Sequence, residues 1–395
     1  MTLTYLGHAT WDPPAGASRE RQGLYAMLKL DQTLGAYDVR AKVSVNRNPE
    51  ADAQVYNDRL YLDEWYVHRA FGALDLTVGR QPVRGGRATL VNPTDYFDQR
   101  DYRDALLSTD RVRATDAVRA VVFAGSYQWS AVYAPRHTKS LMPNTDSRWF
   151  FQLPQTVDAE GASVPLTYTW IDYTGSHTDG SRPQVLLKLD REAQGFSYAV
   201  SYFDGEDNLP AFEARDPEPT PGGLLVGIDQ LYPDKRALGI DTEVLLGKAV
   251  LRAEATRVDL SYADGTRDRY DHLVAGIDLN VEHGLFGEET YFALEYSKQF
   301  ARDGQRYGKE DLRHILSDAL LARVEVSWGT RDSVTTDVVF DTRRRQSAVM
   351  LEWRHELSDR LTLHVSGDLL SGRSDTFFGQ YTRNDRLGLR LEYTL

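Results

Sequence analysis

No cysteine occurs among the 395 residues, which excludes a disulfide framework and any thiolate metal site. Long apolar runs are missing as well. No stretch approaches the ~18 to 20 residues that a membrane-crossing helix needs, and charged residues make up 26% of the chain. Nor is there a surplus of base. The formal net charge is -12, which argues against sequence-independent nucleic-acid binding, where a basic face is required. The opening "MTLTYLGHATW" has no charged and apolar leader, so a secretory signal peptide is expected to be absent from this chain.

Chemistry-bearing motifs are equally scarce. The nine histidines are scattered, His68, His137, His177, His283, His314, His355 and His364 among them, with no HExxH or other ligand spacing. No G-x-S-x-G elbow occurs. The acidic stretch at 207–219 reads as a solvated loop in preference to a calcium site. No catalytic residue, metal or cofactor is expected, and the chain is not expected to be an enzyme.

What the chain does have is aromatic residues, with 22 Tyr, 14 Phe and 7 Trp, and a period of two. Leu24, Ala26, Leu28 and Leu30 fall on one face of "LYAMLKL", opposite Tyr25, Met27 and Lys29. Similar alternation runs through Val39 to Asn46, Leu238 to Leu246, Leu320 to Trp328 and Val349 to Glu356. Such alternation indicates strands with one apolar and one polar face. The polar faces hold ions of both signs in mid-strand, and the segments have about the length a tilted strand needs to cross a bilayer.

Connections give a second test. Short turns follow the even-numbered strands, as in "LGAY" at 34–37, "AGSY" at 124–127 and "LSDR" at 357–360, while longer polar pieces follow the odd ones. Outer-membrane barrels show this asymmetry. In hydrocarbon every backbone N–H and C=O must be paired, so the sheet must close. The expected fold is therefore all-β, a single-domain transmembrane antiparallel up-and-down barrel of about 18 strands over 1–395, with a water-filled lumen. "DRLGLRLEYTL" supplies the closing strand. Trp65, Tyr66, Trp129, Tyr133, Tyr291, Tyr296, Trp328, Trp353 and Tyr393 are candidates for interfacial girdles.

"LDLTVGRQ" at 74–81, "RGGRATLVNPTDYF" at 84–97, the hairpin at 117–135 and "LGLRLEYTL" together resemble proteobacterial outer-membrane barrels of the porin or alginate-export type. The resemblance implies an outer-membrane channel for polar, anionic or saccharide-like solutes. Alternatives are the conduit of a polysaccharide-export complex, a barrel sheathing a partner protein and an outer-membrane hydrolase. Expected partners are membrane lipid and lipopolysaccharide, a small polar solute or polysaccharide, and a periplasmic or lumenal protein.

Wide porins narrow themselves with an early outer loop, and the segment at about 80–116 has that place. Its charges, Arg80, Arg84, Arg87, Asp95, Asp98, Arg100, Asp101, Arg103 and Asp104, are the expected constriction. An exposed loop with weak surface ion pairs is the alternative. Arg40, Lys42, Arg252, Glu254, Arg323, Glu325, Glu352 and Arg354 are expected to line the lumen, as a solute track or as a cross-strand ladder stiffening the wall. The segment at about 135–182 could be an outer lid, a partner surface or plain loop packing over the mouth.

Overall fold

A computed structural model describes residues 2–10, 20–47, 59–103, 112–143, 145, 147–159, 162–171, 182–303 and 312–395. The strands, in chain order, begin with β1 (Thr2–Thr10), β2 (Glu20–Leu34), β3 (Tyr37–Arg47), β4 (Arg59–Phe71), β5 (Leu74–Gln81), β6 (Thr115–Ala124) and β7 (Tyr127–Ala134). Next come β8 (Thr156–Ala159), β9 (Ala162–Ile171), β10 (Gln184–Ala193), β11 (Phe196–Glu206), β12 (Ala211–Ala214), β13 (Glu218–Thr220) and β14 (Gly223–Leu231). The rest are β15 (Asp234–Leu246), β16 (Ala249–Ser261), β17 (Arg267–Val281), β18 (Glu289–Asp303), β19 (Asp318–Trp328), β20 (Asp332–Asp341), β21 (Gln346–Ser358), β22 (Leu361–Ser371) and β23 (Arg386–Thr394).

Eighteen of them form one sheet in which each strand pairs antiparallel with the next. The ring skips β8, β9 and β12 to β14. It closes where β1 pairs with β23, from Thr2 opposite Thr394 to Thr10 opposite Arg386. Closure removes both free edges, which an open sheet would have to protect. The expected all-β, eighteen-stranded antiparallel barrel is what the chain forms.

Period two decides which way each side chain points. Leu28, Leu30, Leu60, Trp129, Leu187, Ile240, Leu294, Leu369 and Leu389 all stand exposed on the outside. Trp65, Trp129, Tyr133, Tyr296 and Trp328 are exposed there too. Tyr66 and Tyr291 depart from the expected girdle, because they share the inward register of Arg40 and Asn280.

Both chain ends and the short connections, such as 35–36, 125–126 and 359–360, lie at one end of the barrel. The long connections 82–114, 135–183, 207–233 and 372–385 lie at the other. Two connections on that side, 262–266 and 342–345, are short, so the expected asymmetry has exceptions.

The long connections are not plain loops. Those at 135–183 and 207–233 contribute β8, β9, β12, β13 and β14 to a second, five-stranded sheet. In it β9 and β14 run parallel, from Leu166 opposite Leu224 to Ile171 opposite Asp229. Phe150, Phe151, Ile228, Trp170 and Phe212 pack together beneath it. Residues 135–143 and 147–151 also cross the mouth. They leave β7, and Trp149 packs against Ala348, Leu370, Phe377, Phe378 and Tyr381 on the opposite side of the ring. There Arg148 donates to the Thr10 hydroxyl, and Tyr381 donates to the Trp149 carbonyl at 3.0 Å.

An apolar outer band makes the position of an added charge matter. Leu294→Arg, deep in the outward apolar band, should cost about 2–4 kcal/mol in lipid vesicles. Equilibrium unfolding of the vesicle-inserted barrel measures it, and no loss would contradict this assignment of faces.

Candidate functional site

After Gln81 the chain turns into the lumen. Gln81 is buried and donates through Nε2 to the Ala117 carbonyl at 3.0 Å. Val83, Tyr96 and Phe97 join a cluster with Val132, Leu186, Phe203, Val258 and Tyr270 from the inner wall. The Tyr96 ring stacks on Phe203 at 5.3 Å, and its hydroxyl lies 3.0 Å from the Ser201 hydroxyl. Gly239 makes this docking possible, since a Cβ there would stand 2.3 Å from the Tyr96 hydroxyl oxygen.

Irregular backbone inside a barrel needs partners for its N–H groups. Wall carboxylates supply them. Glu254 accepts from the backbone N–H of Arg87, of Ala88 at 2.6 Å and of Thr94 at 3.1 Å, and from the Thr94 hydroxyl at 2.8 Å. Glu295 accepts from the N–H of Thr89 at 2.5 Å, Leu90 at 3.1 Å and Val91 at 3.0 Å. Asp278 accepts from the Thr89 hydroxyl at 2.8 Å. Gly86 has φ +81°, and a Cβ there would meet the Glu254 carboxylate at 2.6 Å. Arg87 pairs with Asp190, and its Nε stands 2.7 Å from Asp241.

The remaining charges of the segment mostly pair among themselves. Arg84 lies 3.3 Å from Asp98 and 3.5 Å from Asp95. Arg100 pairs with Asp98 at 2.7 Å and Arg103 with Asp101 at 2.6 Å. The segment also grips the crossing strap, through Tyr102 N–H to the Leu141 carbonyl at 2.7 Å and Leu141 N–H to the Arg100 carbonyl at 2.8 Å. Burial, with Asp98 beside it, pushes Asp95 up to about 8 despite Arg84 and Arg100.

Arg80 is a correction. It belongs to β5, opposite Asp116 of β6, and parity turns both side chains outward. Arg80 donates to Asp116 at 2.7 and 3.2 Å, away from the lumen, because Gln81 takes the inward position. Asp104 lies outside the described residues.

The wall residues face inward, largely as ion pairs between neighbouring strands. Arg40 meets Asp31 at 2.5 Å, Lys42 meets Glu64 at 3.7 Å, and Arg323 meets Asp337 at 2.6 Å. Arg252 reaches Glu243 at 2.9 Å and also Asp278. Arg354 pairs along its own strand with Glu356 at 2.5 Å. Glu352 accepts from Arg390 at 3.2 Å and lies 3.0 Å from His364 Nδ1. Glu325 stands opposite Tyr291 in the register. Such pairs stiffen a sheet. Glu254 differs, being spent on the segment.

Sequence reasoning missed Asp190, Asp241, Asp278 and Glu295. Each occupies an inward position, which is the one signal that could have found it. It also missed a buried relay in which His272 Nε2 lies 2.8 Å from the Ser297 hydroxyl and His314 lies 2.6 Å from Gln299 and 3.2 Å from Asp268. Ser297 is fully buried and donates to the Leu316 carbonyl at 2.6 Å. The relay thus presents no nucleophile to solvent.

No family model and no curated protein matches this sequence. Comparison of structures does find relatives in shape. Wzi, an outer-membrane carbohydrate-binding β-barrel involved in group 1 capsule assembly in Escherichia coli, superposes with a TM-score of 0.53 at 11% identity, covering 100% of this chain and 84% of Wzi. OccK11 (OpdR) of Pseudomonas aeruginosa superposes with a TM-score of 0.52 at 10% identity, covering 99% and 94%. The fold is that of an outer-membrane β-barrel. At such identities the likeness extends to this architecture alone.

Two outcomes follow from the docking geometry. Glu254→Gln sets an amide NH₂ among backbone N–H donors, and should weaken docking by about 1.5–3 kcal/mol, the range for a hydrogen bond to a charged group. Limited proteolysis of residues 82–103 in the folded barrel reads the change, and unaltered protection would refute the clamp. The second outcome concerns pH. The docked segment keeps a proton on Asp95 that a released segment loses near 3.8. Docking is therefore strongest below that pH and weakens as pH rises through about 8. Proteolytic protection should fall as pH rises from about 4 to about 8 in the wild type and level off above that, and Asp95→Asn should flatten the profile.

Proposed function

We propose that the chain is a porin-like channel of a bacterial outer membrane, passing polar, saccharide-like solutes past a segment docked inside its lumen. The observation that carries the reading is the clamp on residues 87–94 by Glu254 and Glu295, which holds irregular chain across the interior. An apolar outer surface on a closed barrel supports the membrane location, since closed barrels and helices are the structures that satisfy their backbone in lipid.

Local charge argues for uncharged polar solutes over anions. Arg84, Arg87, Arg100 and Arg103 are each engaged by aspartates. On the wall beneath the segment the carboxylates of Asp190, Asp241, Glu243, Glu254, Asp278 and Glu295 outnumber the cations of Lys188 and Arg252. Under Thr89 lies a recess of about 340 Å³ bounded by Lys248, Arg252, Asp278, Asn280 and Tyr291. Hydrogen-bonding groups beside an aromatic ring suit a sugar hydroxyl face. A polysaccharide-export conduit is the second reading, favoured by the strap across the mouth, which leaves a resting barrel covered.

Planar-bilayer recording separates these readings. The wild type should give small conductance steps that do not favour anions, and replacing residues 84–100 by a short glycine linker should raise conductance several-fold. Unchanged conductance would exclude the segment as the constriction. A barrel silent in both forms would favour the export conduit.

A further inference from the structure

One arc of the outer surface, across β15 to β18, carries a cluster of arginines and aspartates. Leu238, Arg257, Asp271 and Phe300 stand side by side across β15 to β18, all facing outward. One step toward the long connections the row is Arg236, Asp259 and Arg269, and one step the other way it is Ile240, Ala255, Leu273 and Lys298, the last paired with Asp318. An outward arginine is costly at the bilayer midplane and nearly free at the interface, so this row marks where hydrocarbon gives way to headgroups.

Around Asp271 the cations exceed the anion. Asp271 accepts from Arg257 at 2.9 Å and from Arg302 at 3.2 Å, so two guanidiniums share one carboxylate. The side chains of Arg257 and Arg302 are 63% and 45% exposed, leaving N–H donors for a further acceptor. Beneath them lies an outward groove of about 340 Å³, bounded by Leu238, Ala255, Arg257, Asp271, Leu273 and Phe300. Its upper rim is cationic and its lower walls are apolar. A free anion would have no use for the lower walls, and a neutral lipid none for the two guanidiniums.

We propose that this groove binds a phosphorylated lipid of the outer leaflet, with phosphate oxygens on Arg257 and Arg302 and an acyl chain along Leu238, Leu273 and Phe300. Guanidinium forks match phosphate in a bidentate way. The site rests on the outer-membrane reading, because only there does this end of the barrel meet such a lipid. It is independent of what passes through the lumen.

The folded barrel in non-ionic detergent is titrated with a diphosphorylated glycolipid and with its dephosphorylated form, and bound copies are counted by native mass spectrometry. The phosphorylated lipid should bind at least tenfold more tightly, and Arg257→Gln with Arg302→Gln should weaken it at least tenfold. Arg302→Gln alone keeps the Arg257–Asp271 pair and should show an intermediate loss, with folding of each variant read from its heat-dependent gel mobility. Equal affinity for the two lipids, or for wild type and folded variants, overturns the site. Insertion into vesicles, measured separately, tests the outer-membrane reading, so a barrel that inserts without discriminating between the lipids defeats this proposal alone.

Discussion

Five consecutive backbone N–H groups, from Arg87 to Val91, donate to the carboxylates of Glu254 and Glu295. Connecting segments normally stay at a surface because buried backbone groups must find partners. Two anions on the wall remove that restriction here. With them in place the chain after β5 can run through the barrel instead of over it. The placement of Tyr96 and Phe97 against Phe203 then follows, as does the contact of residues 100–102 with the strap. Substituting either glutamate by an apolar residue would strand the donors it now receives.

The barrel itself was legible because its signal is redundant. Each strand repeats the same alternation, and one misread position does not disturb the rest. Inward placement of Arg40, Lys42, Arg323 and Arg354 came from parity, and the register pairs the first three with carboxylates on neighbouring strands. Arg80 shows how a misplaced strand end can mislead. A basic residue beside a glycine-rich run reads as loop, yet the strand continues through Gln81, and a one-residue difference in where it ends decides which side of the wall the charge occupies.

Docking was not legible, for a physical reason. The partners of the segment lie 100 to 200 residues away, and nothing local in "GGRATLVNPTD" names Asp190, Glu254 or Glu295. Their inward parity makes them available without assigning them a task. The second sheet was hidden similarly. Alternation in "VPLTYTWI" is clear, but its neighbour in that sheet, β14, lies beyond β10 and β11 and runs parallel to it, which no hairpin rule anticipates.

The segment divides into two mechanically different parts. Its base, around Tyr96 and Phe97, is buried apolar surface, where each large side chain contributes roughly 1.5–3 kcal/mol by leaving water. Its tip, from Gly86 to Val91, is held by charge-assisted hydrogen bonds to the buried carboxylates of Glu254 and Glu295, next to a polar recess. Salt screens exposed charge pairs far more than buried ones, so the bonds to Glu254 and Glu295, each 1% exposed, should hold at high ionic strength. The tip faces Arg252, Asp278 and Tyr291, so two of the groups that bind the Thr89 hydroxyl also border the recess beneath it.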